Sequence, residues 1–208
     1  MLVSAYGDHE ARSVVNECRL EYESLIGQIP YIGRRSPFLL FLIPTSRYLA
    51  IYRVLLRHGL KAEESARIIY RMNEAEWKAI PSFVCKTIGC LWFSPLFIWR
   101  IKKRAAQSRA RQYPDGYVLT FIEGDDLTFD YGLDYTECDS CTFLRLQGAP
   151  ELAPLMCYFD KTASETLGWG LSRTTTLAEG HAICDFRFKK GGPTHVGLPL
   201  LLQTIRNP

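Results

Sequence analysis

The 208-residue chain has no internal repeat and no low-complexity tract, which excludes solenoid and linker-dominated architectures. Nor does it hold a long unbroken apolar run. Its most apolar stretch, residues 84–99 (VCKTIGCLWFSPLFIW), is interrupted by Lys86, Gly89 and Pro95, and the cleanest part, 91–99, is too short to span a bilayer. No integral membrane span is expected. The stretch reads as a buried helix or the lining of an apolar site, with contact at a membrane interface as the alternative. Charge of one sign is also scarce, the formal net charge being +3. The single basic run, RIKKRAAQSRAR (100–111), has no acid and no interleaved aromatic, so it reads as a solvated helix face and no nucleic-acid partner is expected. Cysteines number seven, an odd count, and Asp8, His9 and Glu10 stand where a secretory leader would be apolar. A disulfide framework is therefore not expected; reduced thiols and a cytoplasmic location are. A structural zinc ribbon lacks its second cysteine pair, and thioredoxin-like chemistry lacks a βαβ frame around Cys138-x-x-Cys141.

What is present is an ordinary globular composition, 47 % hydrophobic, in a length that suits one domain. Helical patterns fill residues 1–112. Apolar positions Val14, Val15, Cys18, Tyr22, Leu25 and Ile26 predict a helix over 10–26, a second runs from Pro44 to His58, and a third starts at Ala62. Pro81 and Pro95 punctuate a further apolar helical region. After Pro114 the texture changes to β-formers over 117–123, then an alternating run from Leu127 to Tyr135. Helices over 139–146 and 150–166 interrupt the sheet, and a second hairpin pairs 170–178 with 182–189. The expectation is α+β: a helical N-terminal layer packed on a four-or-so-stranded antiparallel sheet, with 113–190 carrying the sheet and site and 191–208 a C-terminal tail.

The stretch from Asp134 to Lys190 carries the chemistry. Four of the seven cysteines (Cys138, Cys141, Cys157, Cys184) fall there among carboxylates, a histidine and an arginine. Cys157 and Asp160 are three apart on an expected helix and can share a face, as nucleophile and base or as core packing and solvent contact. Cys184 alternates with Phe186 and Phe188, as a small core residue would. Arg173 lies in a Ser/Thr run with Thr174 and Thr176, a set suited to a small carboxylate-bearing substrate, or simply a good strand. Glu179 and His181 flank the turn at Gly180, as second base and ligand contact or as solvated turn residues.

The segments FIEGDDLTFDYGLDYTECDSC, PLMCYFD and LSRTTTLAEGHAICDFRF, with IGQIPYIG and HGLKAEESARIIY upstream, resemble the L-2-amino-thiazoline-4-carboxylic acid hydrolase family. Its shape is similar to 4-vinyl-reductase-like and vesicle-tethering-subunit-like domains, α+β folds with an apolar ligand site. The resemblance implies hydrolysis of a cyclic isothiourea to an N-carbamoyl cysteine. On it, Cys157 is the expected nucleophile and Asp160 or Glu179 the base. Cys138 and Cys184 complete the catalytic set, and Arg173, Thr174, Thr176 and His181 contact substrate. No organic cofactor is implied, and a divalent metal and a homo-oligomer stay open. The alternatives are a ring-opening or ring-forming enzyme on a larger natural-product intermediate, or a non-catalytic module for an apolar ligand.

Overall fold

The computed structural model describes residues 8–34, 36, 38–111, 116–125 and 127–203. Among the described residues five α-helices come first: α1 (Asp8–Leu25), α2 (Leu39–Arg57), α3 (Ala62–Lys78), α4 (Ser82–Trp92) and α5 (Pro95–Arg109). The first follows its apolar spacing. Ala11, Val14 and Leu25 are buried with Cys18 and Tyr22 half-buried between them, while Val15 and Ile26 face outward. Helix α2 begins earlier than expected and keeps Pro44 inside it, at the loss of one backbone donor. It is long and apolar enough to cross a membrane, yet half of that apolar window is buried within the fold, including Leu42, Tyr48, Leu49, Tyr52 and Leu55. Helix α3 opens where Glu64 takes the Lys61 backbone N–H at 2.9 Å, and α5 where Ser94 Oγ accepts the Phe97 N–H at 3.2 Å ahead of a first-turn proline.

The second half alternates strands and helices: β1 (Val118–Glu123), β2 (Tyr131–Glu137), α6 (Asp139–Leu146), α7 (Ala153–Leu167), β3 (Leu171–Arg173), β4 (Cys184–Phe188), β5 (His195–Val196) and α8 (Leu200–Gln203). The class is α+β, as expected. The sheet has five strands in the order β1-β2-β4-β3-β5, however, and its last pair is parallel. That extra strand comes from residues expected to be tail. Its two-residue pairing, Ser172 with His195 and Arg173 with Val196, is too short to leave a periodic signature. Strand β2 also starts four residues later than its alternation suggests. The Asp125 carboxylate accepts the backbone N–H groups of Leu127, Thr128 and Phe129, closing a turn that withdraws these residues from the sheet and leaves Leu127 exposed.

One cluster of buried side chains extends from Leu25 to Leu202, between the helices and one sheet face that carries Leu119, Tyr131, Leu133, Leu171 and Phe188. Trp92 at the end of α4 stacks on Trp169 with centroids 4.1 Å apart, and both rings lie near Phe188. The contact is close because Gly89 lets α4 press on the end of α7: a Cβ there would lie 2.0 Å from the Leu167 carbonyl oxygen. Gly89→Ala should therefore lower stability by about 1–3 kcal/mol in urea unfolding, despite alanine's better helix propensity. An unchanged or raised midpoint would mean that α4 is not held against α7 as described.

Candidate active site

Strand β2 delivers the chain to Cys138, which keeps extended geometry (φ −138°, ψ 112°) while α6 begins at Asp139. Cys138 is thus the N-cap of α6. The Cys141 thiol, one turn in, and the backbone N–H groups of Cys141 and Ser140 act on the Cys138 sulfur and favour its anion. These donors outweigh burial and hold the Cys138 thiol below its ordinary range. Cys141 is correspondingly pushed up by the Cys138 and Cys157 sulfurs and by burial. The sulfurs of 138, 141 and 157 form a string leading from α6 to α7.

Helix α7 carries Cys157 and, one turn on, Asp160. Arg173 ends β3 and closes on both: Nη1 donates to Asp160 Oδ2 at 2.6 Å, Nη2 to the Cys157 carbonyl at 2.9 Å, and the guanidinium lies 5.0 Å from the Phe186 ring centroid. The arginine side chain is 3 % exposed, whereas Asp160 keeps 24 % of its side chain accessible. Burial pushes Asp160 above the usual carboxylate range, and Arg173 offsets part of that rise. The result is a carboxyl group set deep in protein that still reaches solvent.

Cys184 starts β4 opposite Tyr135 of β2. Its sulfur accepts the Leu177 N–H at 3.1 Å, and burial pushes the thiol up to about 12. Half-buried Tyr135 lies within electrostatic reach of Asp160, Cys138 and Cys184, and its ring meets Phe186 at 5.2 Å.

The loop between β3 and β4 is held by its own polar side chains. Asp185 accepts four hydrogen bonds, from the backbone N–H and hydroxyl of Thr174 (2.9 and 2.6 Å) and of Thr175 (2.6 and 2.9 Å). Thr176 caps a 3-10 turn (Leu177–Glu179), taking the Glu179 N–H while its hydroxyl donates to the Glu179 carboxylate at 2.7 Å. Gly180 then turns the chain at φ 86°, a conformation that favours glycine.

Of the residues expected from sequence, the structure brings together Cys138, Cys157, Asp160, Arg173 and Cys184. Thr174, Thr176 and Glu179 are engaged in holding the loop, and the His181 side chain is exposed. Sequence reasoning left out Cys141, Tyr135, Phe186 and Asp185. A cysteine following a strand, with an acidic first turn after it, signals a helix N-cap and would have joined Cys141 to Cys138. The cross-strand partnership of Tyr135 with Cys184 has no local signal. Among the described residues, no group of three or more His, Cys, Asp or Glu side chains is arranged to hold a metal ion.

Asp185 makes the loop pH-sensitive. Burial raises its carboxyl, but the donors of Thr174 and Thr175 together outweigh burial and hold it below the usual range. With the folded value below the unfolded one of about 3.9, its contribution is complete above that pH and is lost as pH falls through the folded value. Asp185→Ala should therefore cost about 1–3 kcal/mol near neutrality, and the gap to wild type should narrow below about pH 4. A gap that stays constant from neutral to acid pH would contradict this role.

Residues 93–188 match the family model of L-2-amino-thiazoline-4-carboxylic acid hydrolase. No curated protein and no solved structure matches the chain. The matched segment runs from the bend after α4 to the last residue of β4, and leaves α1 to α4 outside. It contains the whole sulfur string, Cys184 and the Asp160–Arg173 pair. Through that segment the chain is similar to the L-2-amino-thiazoline-4-carboxylic acid hydrolase family.

Proposed function

We propose that the chain opens a small cyclic isothiourea of the 2-amino-thiazoline-4-carboxylate type, with Cys138 as nucleophile. The observation that carries this reading is the placement of Cys138 at the N-cap of α6, where a thiol and two backbone N–H groups favour its thiolate. The resemblance read from sequence put the expected nucleophile at Cys157. The geometry supports Cys138 better, because Cys157 lies inside α7 and has no helix N-terminus to favour its anion.

The chemistry balances on these groups. The Cys138 thiolate adds to the ring carbon that bears both nitrogens and sulfur, the ring C–S bond breaks, and the ring sulfur departs as thiolate. Water then adds to the same carbon, with the Asp160 carboxylate as base, passing the proton of water to the departed sulfur. The enzyme sulfur leaves as thiolate, and the oxygen of water remains as the carbamoyl oxygen of N-carbamoyl cysteine. The Cys141 thiol and the backbone N–H groups of Cys141 and Ser140 keep Cys138 anionic. Arg173 acts as a positioning residue, since two of its nitrogens are engaged by Asp160 and the Cys157 carbonyl.

The rings of Tyr135, Phe186 and Tyr117 beside this cluster favour a second reading, in which the substrate is a larger ring-bearing intermediate of the same amidine class.

The test is turnover of 2-amino-thiazoline-4-carboxylate, with carbamoyl-cysteine followed by mass spectrometry. Cys138→Ser should lower kcat at least about a thousandfold, and Cys157→Ser by about tenfold. The reverse ranking would place the nucleophile at Cys157. Wild-type protein that is folded yet inert toward this ring would remove it as the substrate.

A further inference from the structure

Residues 82–111 include no acidic side chain, and they build the two helices α4 and α5, which meet at a 62° bend. Each helix buries one face. On α4, Cys85 and Gly89 pack inward, so Phe83, Thr87, Cys90 and Leu91 share the opposite face at helical spacing. On α5, Ala105 is buried and Phe97, Ile98 and Ile101 are half-buried, which leaves Leu96, Trp99, Arg100 and Lys103 on the outward stripe.

Large apolar side chains are left uncovered on these stripes: Phe83 is 71 % exposed, Leu91 59 %, Leu96 60 % and Trp99 57 %. Leu91 ends one helix and Leu96 begins the next, so the two apolar stripes approach each other at the bend. Cations frame them. Lys86, Arg100 and Lys103 are exposed, and Lys103 lies 5.5 Å from the Trp99 ring centroid. Among the described residues Lys86, Arg100, Lys103, Arg104 and Arg109 form no ion pair, whereas Lys102 is held by Glu123 and Arg111 by Glu137.

We infer that the outward face of α4 and α5 docks on an anionic lipid bilayer. Phe83, Leu91, Leu96 and Trp99 would enter the interface, with Lys86, Arg100 and Lys103 against the headgroups. Charge decides the occupant. A face that joins exposed aliphatic and aromatic side chains to unpaired cations, with no acid in thirty consecutive residues, is matched by a negatively charged, laterally continuous, partly apolar surface. Tryptophan and lysine together are the residue types that anchor at the headgroup level. The helices bend rather than run straight, and neither is long enough to span, so they lie along the surface. This reading does not depend on the hydrolase assignment, and it gives a role to the apolar stretch and basic run that the thiol cluster leaves unused.

The test is cosedimentation of the full chain with vesicles of phosphatidylcholine, with or without phosphatidylglycerol. Binding is expected to the anionic vesicles, to weaken with added salt, and to bring a blue shift in tryptophan fluorescence. Arg100→Gln with Lys103→Gln should weaken it about 30-fold, and Leu91→Ser with Trp99→Ser should abolish it. Circular dichroism and thiol alkylation serve as folding controls for these surface variants. No binding to anionic vesicles, equal binding to pure phosphatidylcholine, or unaffected binding by the Leu91/Trp99 variant would overturn the inference. So would a self-associated species that the Leu91/Trp99 variant disperses while vesicles do not bind, since the face would then belong to a second copy of the chain.

Discussion

A guanidinium that is almost wholly withdrawn from water has to be paired, and the pairing of Arg173 with Asp160 fixes where the other site residues lie. Removing one partner from such a pair leaves an uncompensated charge in a poor solvent, a far larger effect than losing a surface ion pair. Strand β3 is only three residues long, so its own ladder holds its end weakly. The arginine at that end reaches α7 and takes both the Asp160 carboxylate and the Cys157 carbonyl. Two acceptors and an aromatic neighbour suit the planar fork of arginine, and a lysine could not satisfy all three. The pair thereby joins the sheet to the helix that carries two of the reactive groups.

From that joint outward, the polar residues between β3 and β4 act mostly on one another. Thr174 and Thr175 converge on Asp185, Thr176 and Glu179 close the 3-10 turn, and the Leu177 N–H lands on Cys184. A dense run of hydroxyls and carboxylates looks like a substrate-binding surface when only residue types are known. In the fold it is a brace that presents Arg173 and Cys184 to the sulfur string. The strongest electrostatic activation sits on the other side of the site, where a strand hands over to a helix at Cys138. Chemistry and scaffold are thus supplied by different segments, with Asp160 belonging to both.

Much of the fold was legible because its signals are local. The spacing of Val14, Cys18, Tyr22 and Leu25 encodes one buried stripe, and α6 falls where a short helix was expected. What escaped depends on partners distant in sequence or on short stretches. His195 and Val196 become a strand only because β3 offers its edge, and Leu127 leaves the alternating pattern because Asp125 captures the backbone before the sheet can. The site divides in the same way. Cys138, Cys157, Asp160, Arg173 and Cys184 were chosen for their chemical types, and the fold gathers them. Thr174, Thr176 and Glu179 were chosen on the same grounds, but nothing local says whether a hydroxyl will meet a ligand or the Asp185 carboxylate. Tyr135 reaches the site only through the β2–β4 register, which no window of sequence contains.

The claim on which this account rests is that Arg173 and Asp160 act as one unit that positions the reactive thiols. A double-mutant cycle with Arg173→Met and Asp160→Asn, read by urea unfolding and by the alkylation rate of Cys138, measures it directly. Each single substitution should cost about 3 kcal/mol and slow alkylation, with the double variant no worse than the poorer single. Losses that add to within about 0.5 kcal/mol, with Cys138 alkylated at the wild-type rate throughout, would show that the two residues act independently and that the site is held in some other way.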